Sequence, residues 1–249
     1  MEGGRILRNS QIIVLGLCIA TATIISTVIL SNGLLRMKKF TNEVIDVTGS
    51  AENKIVSDYI VWKAGFSRRD PRMTIAFEDL KKDLNRVKEY LLSKGIQKDE
   101  IVISPVTTKV LYKKTEKGHN TNEIEGYFLG QEIEVRSYNV KKTADISRKS
   151  TELINEDIQF ISGAPEYFYT KLAELKVEML SKATEDAKRR AVSMASSAGN
   201  KIGLMRSARM GIFQINPVNS YDVSWYGNND TSSYEKKVRA VVSASFAIE

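Results

Sequence analysis

The sequence predicts an α+β fold that follows an N-terminal transmembrane helix. One long apolar run lies near the N-terminus, several runs carry an apolar residue at every second position, and two segments carry apolar residues at three- and four-residue steps. Such patterns are typical of a membrane span, of half-buried strands and of amphipathic helices. We therefore divide the 249 residues into a short tail (1–10), a membrane anchor (11–35), a basic juxtamembrane linker (36–42) and a folded body (43–249).

The anchor is predicted from a run without charged residues between Arg8 and Arg36. Roughly 20 helical residues, rising about 1.5 Å each, cross a hydrocarbon core of about 30 Å. A cleaved signal peptide has a shorter apolar region that ends at a small-x-small site, whereas Ala20-Thr21-Ala22 lies inside this run. A buried core helix of this length would carry a polar stripe. We therefore expect an uncleaved, single-pass anchor in the cell membrane.

The orientation of the anchor does not follow from the positive-inside rule, because basic residues flank both of its ends. The short N-terminal tail favours a type II arrangement, with the C-terminal body outside the cytoplasm. A body without cysteine agrees with export that needs no disulfide chemistry. We therefore expect an extracytoplasmic body.

The net charge of +7 belongs largely to the flanks of the anchor, because residues 1–39 contribute +4 and residues 40–249 only +3. Acidic and basic residues alternate along the body, which lacks the basic face typical of nucleic-acid binders. One histidine and one cysteine exclude a Cys/His zinc site, and Cys18 has no partner for a disulfide within the chain. We predict neither nucleic-acid binding nor a metal or cofactor.

The body begins with two predicted strands and a helix. Residues 43–48 alternate between polar and apolar side chains, and Gly49-Ser50-Ala51 follow them. This pattern predicts a strand that ends in a turn. A second strand over 57–66 places its apolar side chains on one face. A helix over 72–94 follows, and Gly95 suits a left-handed cap at its end.

A hairpin is predicted next, from a strand over 101–112 and a partner strand over 127–135. Pro105 marks an edge or a bulge in the first strand. The connecting residues 113–125 are polar and contain His119. A catalytic histidine needs an orienting partner and usually some burial, so we predict no catalytic role for this one.

A weaker helical stripe over 140–155 and a short strand over 158–162 precede the longest predicted helix, 166–198. The second half of this helix carries alanine at a four-residue step, at Ala183, Ala187 and Ala191. Small residues at this step let another backbone approach closely, so the stripe suits either a contact between copies of the chain or packing on the chain's own sheet. We favour packing on its own sheet, because an amphipathic stripe usually faces the domain core.

The C-terminal part predicts a strand region over 201–215, a long loop over 216–234 and a final strand over 238–248. Loops longer than about 12–15 residues are uncommon in compact domains and are often functional. This loop carries four aromatic residues, which are Tyr221, Trp225, Tyr226 and Tyr234. Large amphipathic rings anchor protein interfaces, so the four are candidate partner contacts. The alternative, in which they fold back over the sheet, is equally compatible with the sequence.

No constellation of catalytic residues is apparent. Glu132, Glu134 and Arg136 alternate along one strand and form the ordinary solvated side of a half-buried strand. The glycines lack the spacing of a phosphate-binding loop, and no G-x-S-x-G serine elbow occurs. We therefore predict no catalytic, cofactor-binding or metal-binding residues, and we expect that the protein is not an enzyme.

Several short motifs occur in a characteristic order along residues 43–249. They are Ile45–Ala51, Asp58, Leu91–Ile96, Gly126-Tyr127, the alanine repeat of the long helix, Ala198-Gly199 and Ile202-Gly203. Taken together they resemble the SIMPL-domain family of bacterial envelope proteins, also called domain of unknown function 541. The uncleaved anchor departs from many members of that family, which are similar to exported proteins with a cleavable signal.

The resemblance implies two interleaved sheet-and-helix lobes, no established enzymatic activity and assembly into rings or stacked oligomers. It also implies associations with envelope or oxidative stress and, in animals, with a signalling kinase. Our first hypothesis is therefore a non-catalytic, membrane-anchored extracytoplasmic scaffold that self-associates. The alternative is a signalling or binding module that recognises a protein partner through the loop 216–234. An enzyme with a site assembled from distant residues is the third hypothesis.

Overall fold

The computed structural model describes residues 3–249, and it describes side chains for residues 14–34 and 43–249. It is an α+β structure with an apolar N-terminal helix and two sheets that carry helices, so the predicted fold class is confirmed. The elements in chain order are α1 (Gly3–Asn42), β1 (Val44–Val56), β2 (Tyr59–Asp70), α2 (Met73–Ser93), β3 (Ile101–Ile103), β4 (Thr107–Lys114), β5 (Asn120–Ser137), α3 (Val140–Lys149), β6 (Gln159–Ser162), β7 (Glu166–Phe168), α4 (Leu172–Ser197), β8 (Ile202–Met210), β9 (Gln214–Pro217), β10 (Asn228–Asn229) and β11 (Glu235–Ile248).

The chain forms two compact units from interleaved segments, as the predicted two-lobe arrangement requires. The first unit contains the chain up to Ser50, then Lys182–Gly211 and Val241–Glu249. The second unit contains Ala51–Ser181 and Ile212–Ala240.

Helix α1 contains the predicted anchor. Its segment Val14–Leu34 is long and apolar enough to cross a membrane, by length and composition, and its side chains are exposed. Helix geometry extends from Gly3 to Asn42, so it includes the predicted linker 36–42 and most of the predicted tail 1–10. Good helix formers such as Leu, Met and Lys follow Gly33, which explains why the helix continues through the linker.

In the first unit, β8 pairs antiparallel with the C-terminal part of β11, from Val242 opposite Met210 to Ile248 opposite Ile202. Strand β1 is also a neighbour of β11 in this sheet. Ser245 Oγ of β11 donates a hydrogen bond to the carboxylate of Asp46 on β1. A core of buried residues lies between these strands and α4, and it consists of Val47, Ala187, Ala191, Ala244 and Phe246.

Strand β1 does not end at the predicted turn over residues 49–51 but continues to Val56. Gly49 is explained by the close approach of α4 instead. A Cβ on Gly49 would overlap the backbone of Ala183 and Ala187. Glycine in a strand often marks such a close backbone approach rather than the end of the strand.

In the second unit, the sheet has the order β3-β5-β2-β6, with β4 also paired to β5 and β7 to β2. All of these pairs are antiparallel, and β2 and β5 pair from Ile60 opposite Ser137 to Asp70 opposite Tyr127. The predicted alternation of β2 is confirmed, because its apolar side chains are buried in a core shared with α2 and β5. Members of this core include Trp62, Ala64, Phe66, Leu80, Val87, Leu91, Leu129, Ile133 and Val135.

The predicted hairpin is present, but its loop is shorter than expected. The predicted strand 101–112 is divided into β3 and β4, with Pro105 between them. Most of the predicted polar loop 113–125 is paired strand, because β5 begins at Asn120. Polar residues support this extension: Lys113 Nζ lies 2.9 Å from the carboxylate of Glu123 across the two strands.

The long helix α4 begins at Leu172, whereas the sequence predicts a start at Glu166. Glu166–Phe168 instead form β7 and pair with residues 59–61 of β2. The carboxylate of Asp58 accepts hydrogen bonds from Thr170 N at 2.7 Å and Thr170 Oγ1 at 2.8 Å. This tertiary contact, together with the strand pairing, holds the preceding segment in an extended conformation.

Candidate functional site

The predicted aromatic loop (residues 216–234) lies in the second unit between β9 and β11. It contains one short strand, β10, whose Asn228 and Asn229 pair in parallel with Gln214 and Ile215. On the other side of β9, residues 214–217 pair antiparallel with the start of β11. Both ends of the loop are therefore attached to paired strands.

The side chain of Gln214 holds the middle of the loop. Its amide oxygen accepts hydrogen bonds from Asn228 N at 3.0 Å and Ser224 N at 3.3 Å. Its amide nitrogen donates to Ser224 O at 2.8 Å. Gln214 is only 6% exposed, so these bonds are shielded from competing water. One buried amide thus joins two positions on the loop.

Asn216, which is 7% exposed, holds the next segment by donating from Nδ2 to Asp222 O at 2.6 Å. Residues 224–227 then form a tight turn, in which Gly227 N donates to Ser224 O at 3.1 Å. Gly227 has a φ of +86°, a conformation that glycine adopts without strain. The turn presents Trp225 and Tyr226 at its corner.

The four aromatic residues of the loop have different environments. Trp225 is 92% exposed and Tyr226 is 97% exposed, whereas Tyr234 packs edge-on against Tyr167 with 6.0 Å between ring centroids. Tyr221 is largely exposed, and Lys237 Nζ lies 4.0 Å from its ring centroid. Tyr234 therefore folds back onto the body, while Trp225 and Tyr226 point into solvent.

A buried lysine supports the C-terminal end of the loop. Lys236 is 3% exposed, and its Nζ donates to Tyr167 O at 2.6 Å. Burial lowers the pKa of Lys236, while the charge of Asp230 acts in the opposite direction. Burial raises the pKa of Asp230, but hydrogen bonds from Ser232 and Ser233 and the charge of Lys236 outweigh it and lower that pKa.

The three alanines of the predicted stripe on α4 have no exposed surface. Ala183, Ala187 and Ala191 are each 0% exposed, and the first two contact β1 at Gly49. Packing on the chain's own strands is therefore the arrangement in the structure. A second copy of the chain would have to displace β1 to reach these alanines.

The residues for which we predict no catalytic role are exposed or paired. His119 lies in the exposed turn between β4 and β5. Glu134 forms an ion pair with Arg136, and Lys63 Nζ lies 3.6 Å from its carboxylate. Within the described part of the chain, no group of three or more His, Cys, Asp or Glu residues is arranged to hold a metal ion.

Sequence reasoning missed the residues that shape the loop, Gln214, Asn216 and Lys236. All three are polar residues on strands next to the loop, where an exposed position is the ordinary expectation. The only signal is indirect: two amide side chains end a strand just before a long loop without periodicity.

Comparison with known families identifies one match. The sequence model of SIMPL, described as a protein of unknown function (DUF541), matches residues 45–246. This range covers nearly all of the body that follows α1. No curated protein shows significant similarity to the chain.

Proposed function

The chain belongs to the SIMPL family, whose function is unknown, and we propose that this member is a membrane-anchored module that binds a protein partner. The contact residues are Trp225 and Tyr226, and the role is binding without catalysis. The observation that carries the proposal is their exposure, 92% and 97%, on a loop that buried amide side chains hold in one shape.

The exposure of Trp225 and Tyr226 and the ordered conformation of their loop together favour recognition of a protein partner. Trp and Tyr bury about 150–250 Å² each in an interface, which contributes roughly 4–6 kcal/mol per ring at about 25 cal/mol/Å², before the costs of association. A loop that is already ordered loses less conformational entropy when it binds. The bonds of Gln214 and Asn216 therefore reduce the cost of using Trp225 and Tyr226 as anchors.

The binding test uses the full chain in native membranes. A photoreactive phenylalanine analogue replaces Tyr226, and crosslinked species are identified by mass spectrometry, alone and after Trp225→Ser. We expect a protein crosslink that Trp225→Ser removes. Tyr138→Ser is the matched control, because Tyr138 is a 74% exposed tyrosine outside the loop. Crosslinks to lipid alone, or a protein crosslink that survives Trp225→Ser, would contradict the proposal.

The location of this module is part of the proposal. We propose that Val14–Leu34 spans the cell membrane once, which the length and apolar composition of the segment support, and that the body lies outside the cytoplasm. A reporter enzyme that is active only after export, fused after Glu249, should be active. Activity of a cytoplasm-specific reporter at the same position would instead show that the body lies in the cytoplasm.

A self-associating scaffold is the second candidate, and the outer part of the β4–β5 hairpin favours it. Tyr112 pairs with Ile124 there, and both are large side chains with exposures of 40% and 50%. A two-stranded hairpin is at best marginally stable in water, so its apolar face gains from contact with a second copy. In nanodiscs, Tyr112→Glu should then lower the particle mass toward that of one chain, whereas a monomeric wild type would exclude this candidate.

A further inference from the structure

The face of the second unit's sheet that lies opposite its core carries a groove whose floor is open at Gly65, while the ring of Phe128 lies over Gly130. In the sheet register Ser67 of β2 lies opposite Gly130 of β5, and Gly65 of β2 lies between Glu132 of β5 and Ile161 of β6. A Cβ on Gly65 would meet only Gln131 O, at 4.0 Å, so the space above this glycine is open. The cavity has a volume of about 500 Å³, which is within the range of small-molecule sites.

One end of the groove is positively charged. The register places Lys109, Phe128 and Arg69 side by side across β4, β5 and β2. Arg69 Cζ lies 5.3 Å and Lys109 Nζ lies 5.9 Å from the centroid of the Phe128 ring. Among the described side chains, neither cation has a carboxylate within 4.0 Å. Both charges are therefore available to an anionic group.

The other end of the groove is negatively charged. Glu132 follows Phe128 by four residues on β5, which is about 13–14 Å at 3.4 Å per residue. Its neighbour Glu134 is neutralised by Arg136 and Lys63, whereas no Lys or Arg of the described residues lies within 4.0 Å of the Glu132 carboxylate. The groove thus has an unneutralised charge of opposite sign at each end.

We propose that this groove binds a short peptide with free termini, four residues long and in extended conformation. Its carboxylate contacts Lys109 and Arg69, and its ammonium group contacts Glu132. Four extended residues span about 13–14 Å, which matches the separation of the two ends. The open space above Gly65 accommodates the peptide backbone, and Phe128 and the 73% exposed Ile161 provide apolar contacts.

The peptide test is calorimetric titration of the full chain in nanodiscs with the tetrapeptide Ala-Ala-Ala-Ala. N-acetylated, C-amidated and doubly blocked forms of the same peptide remove one or both terminal charges. Each block should weaken binding about two- to fivefold, the effect of losing one partly exposed charge contact. A doubly blocked peptide that binds as tightly as the free one would overturn the proposal, as would a free peptide that does not bind.

Charge variants assign each end of the peptide. Lys109→Gln should weaken binding of the free peptide but not of the C-amidated form. Lys114→Gln, on the same strand but outside the groove, should change the binding of neither peptide. Glu132→Gln should weaken binding of the free peptide but not of the N-acetylated form. Glu116→Gln, at an exposed turn residue, is its control. If Lys109→Gln binds like Lys114→Gln, the proposal fails.

Gly65→Val tests the floor of the groove, because its side chain would fill the open space. We expect loss of peptide binding with an unchanged far-UV circular dichroism spectrum. Binding that persists in a folded Gly65→Val protein would overturn the placement. If this variant does not fold, the exposed charge variants still decide the question.

Discussion

The sequence indicates two candidate surfaces for contacts with another molecule, the alanine stripe of α4 and the aromatic loop. In the structure, one is buried and the other is exposed. Ala183, Ala187 and Ala191 are fully buried within one chain, whereas Trp225 and Tyr226 are almost fully exposed. Small residues at a four-residue step permit close packing, and a strand of the same chain occupies that space. Trp225 and Tyr226 at the corner of the loop are not covered by other described residues, so they remain available to another molecule.

The largest effect is expected where α4 meets β1. Gly49→Val would place a side chain against the backbone of Ala183 and Ala187 and should lower the free energy of unfolding by about 3 kcal/mol or more. Thermal unfolding followed by circular dichroism measures the change. Gly65→Ala is the control, because nothing lies closer than 4.0 Å to its new Cβ, and it should change stability by less than about 1 kcal/mol. Equal effects of the two variants would show that α4 does not pack closely on β1.

An intermediate effect is expected at the base of the aromatic loop. Gln214→Ala removes three hydrogen bonds to Ser224 and Asn228 and should cost about 2 kcal/mol. Amide hydrogen exchange should accelerate at residues 222–228, because the loop loses its internal support. Gln159→Ala, at an exposed glutamine, should leave exchange in the loop unchanged. If the loop exchanges at the same rate in both variants, its rigidity has another origin.

The smallest effect is a pH dependence at the contact of α4 with β1. The backbone N–H of Ser50 donates to Asp186 at 3.0 Å, and Arg190 and Arg189 also donate to this carboxylate, so the pKa of Asp186 lies below its usual value near 3.8. Its contribution to stability is therefore present above about pH 4 and is lost as the pH falls through the lowered pKa.

Asp186→Asn should abolish this acid-sensitive part of the stability, measured as the midpoint of urea unfolding between pH 7 and pH 3. Asp145→Asn is the comparison, because Asp145 is a half-exposed aspartate of α3 whose ion pairs with described residues, Lys149 and Arg148, lie on its own helix. If Asp186→Asn retains the full acid dependence of the wild type, the carboxylate does not stabilise the contact of α4 with β1.

The periodicity of apolar residues was sufficient to predict a helix or strand where one face of that element is buried. The alternation of β2, the part of the α2 stripe from Leu80 to Leu91 and the left-handed Gly95 were predicted, whereas Met73 and Phe77 at the start of that stripe are 44% and 49% exposed. Burial imposes the period of an element on its apolar residues. Periodicity failed where a distant residue decides the local conformation. Asp58 and β2 hold the segment before α4 extended, and α4 rather than a turn explains Gly49.

The candidate sites divide in the same way. The aromatic residues of the loop were evident from their type and from the length of the loop. Their environments were not, because Gln214 and Asn216 act through hydrogen bonds whose partners are set only when the chain folds. The groove had no sequence signal, since Gly65 and Glu132 become neighbours only through the register of β2 and β5.

The sequence by itself determined the apolar N-terminal helix, the α+β class, the family and the aromatic character of the loop. These properties depend on composition and on periods of two to four residues along the chain. The tertiary structure decided that the alanines are buried, that Trp225 and Tyr226 are exposed, and that charges of opposite sign lie at the two ends of a groove. Each of these depends on contacts between residues far apart in the chain, and local periodicity does not encode such contacts.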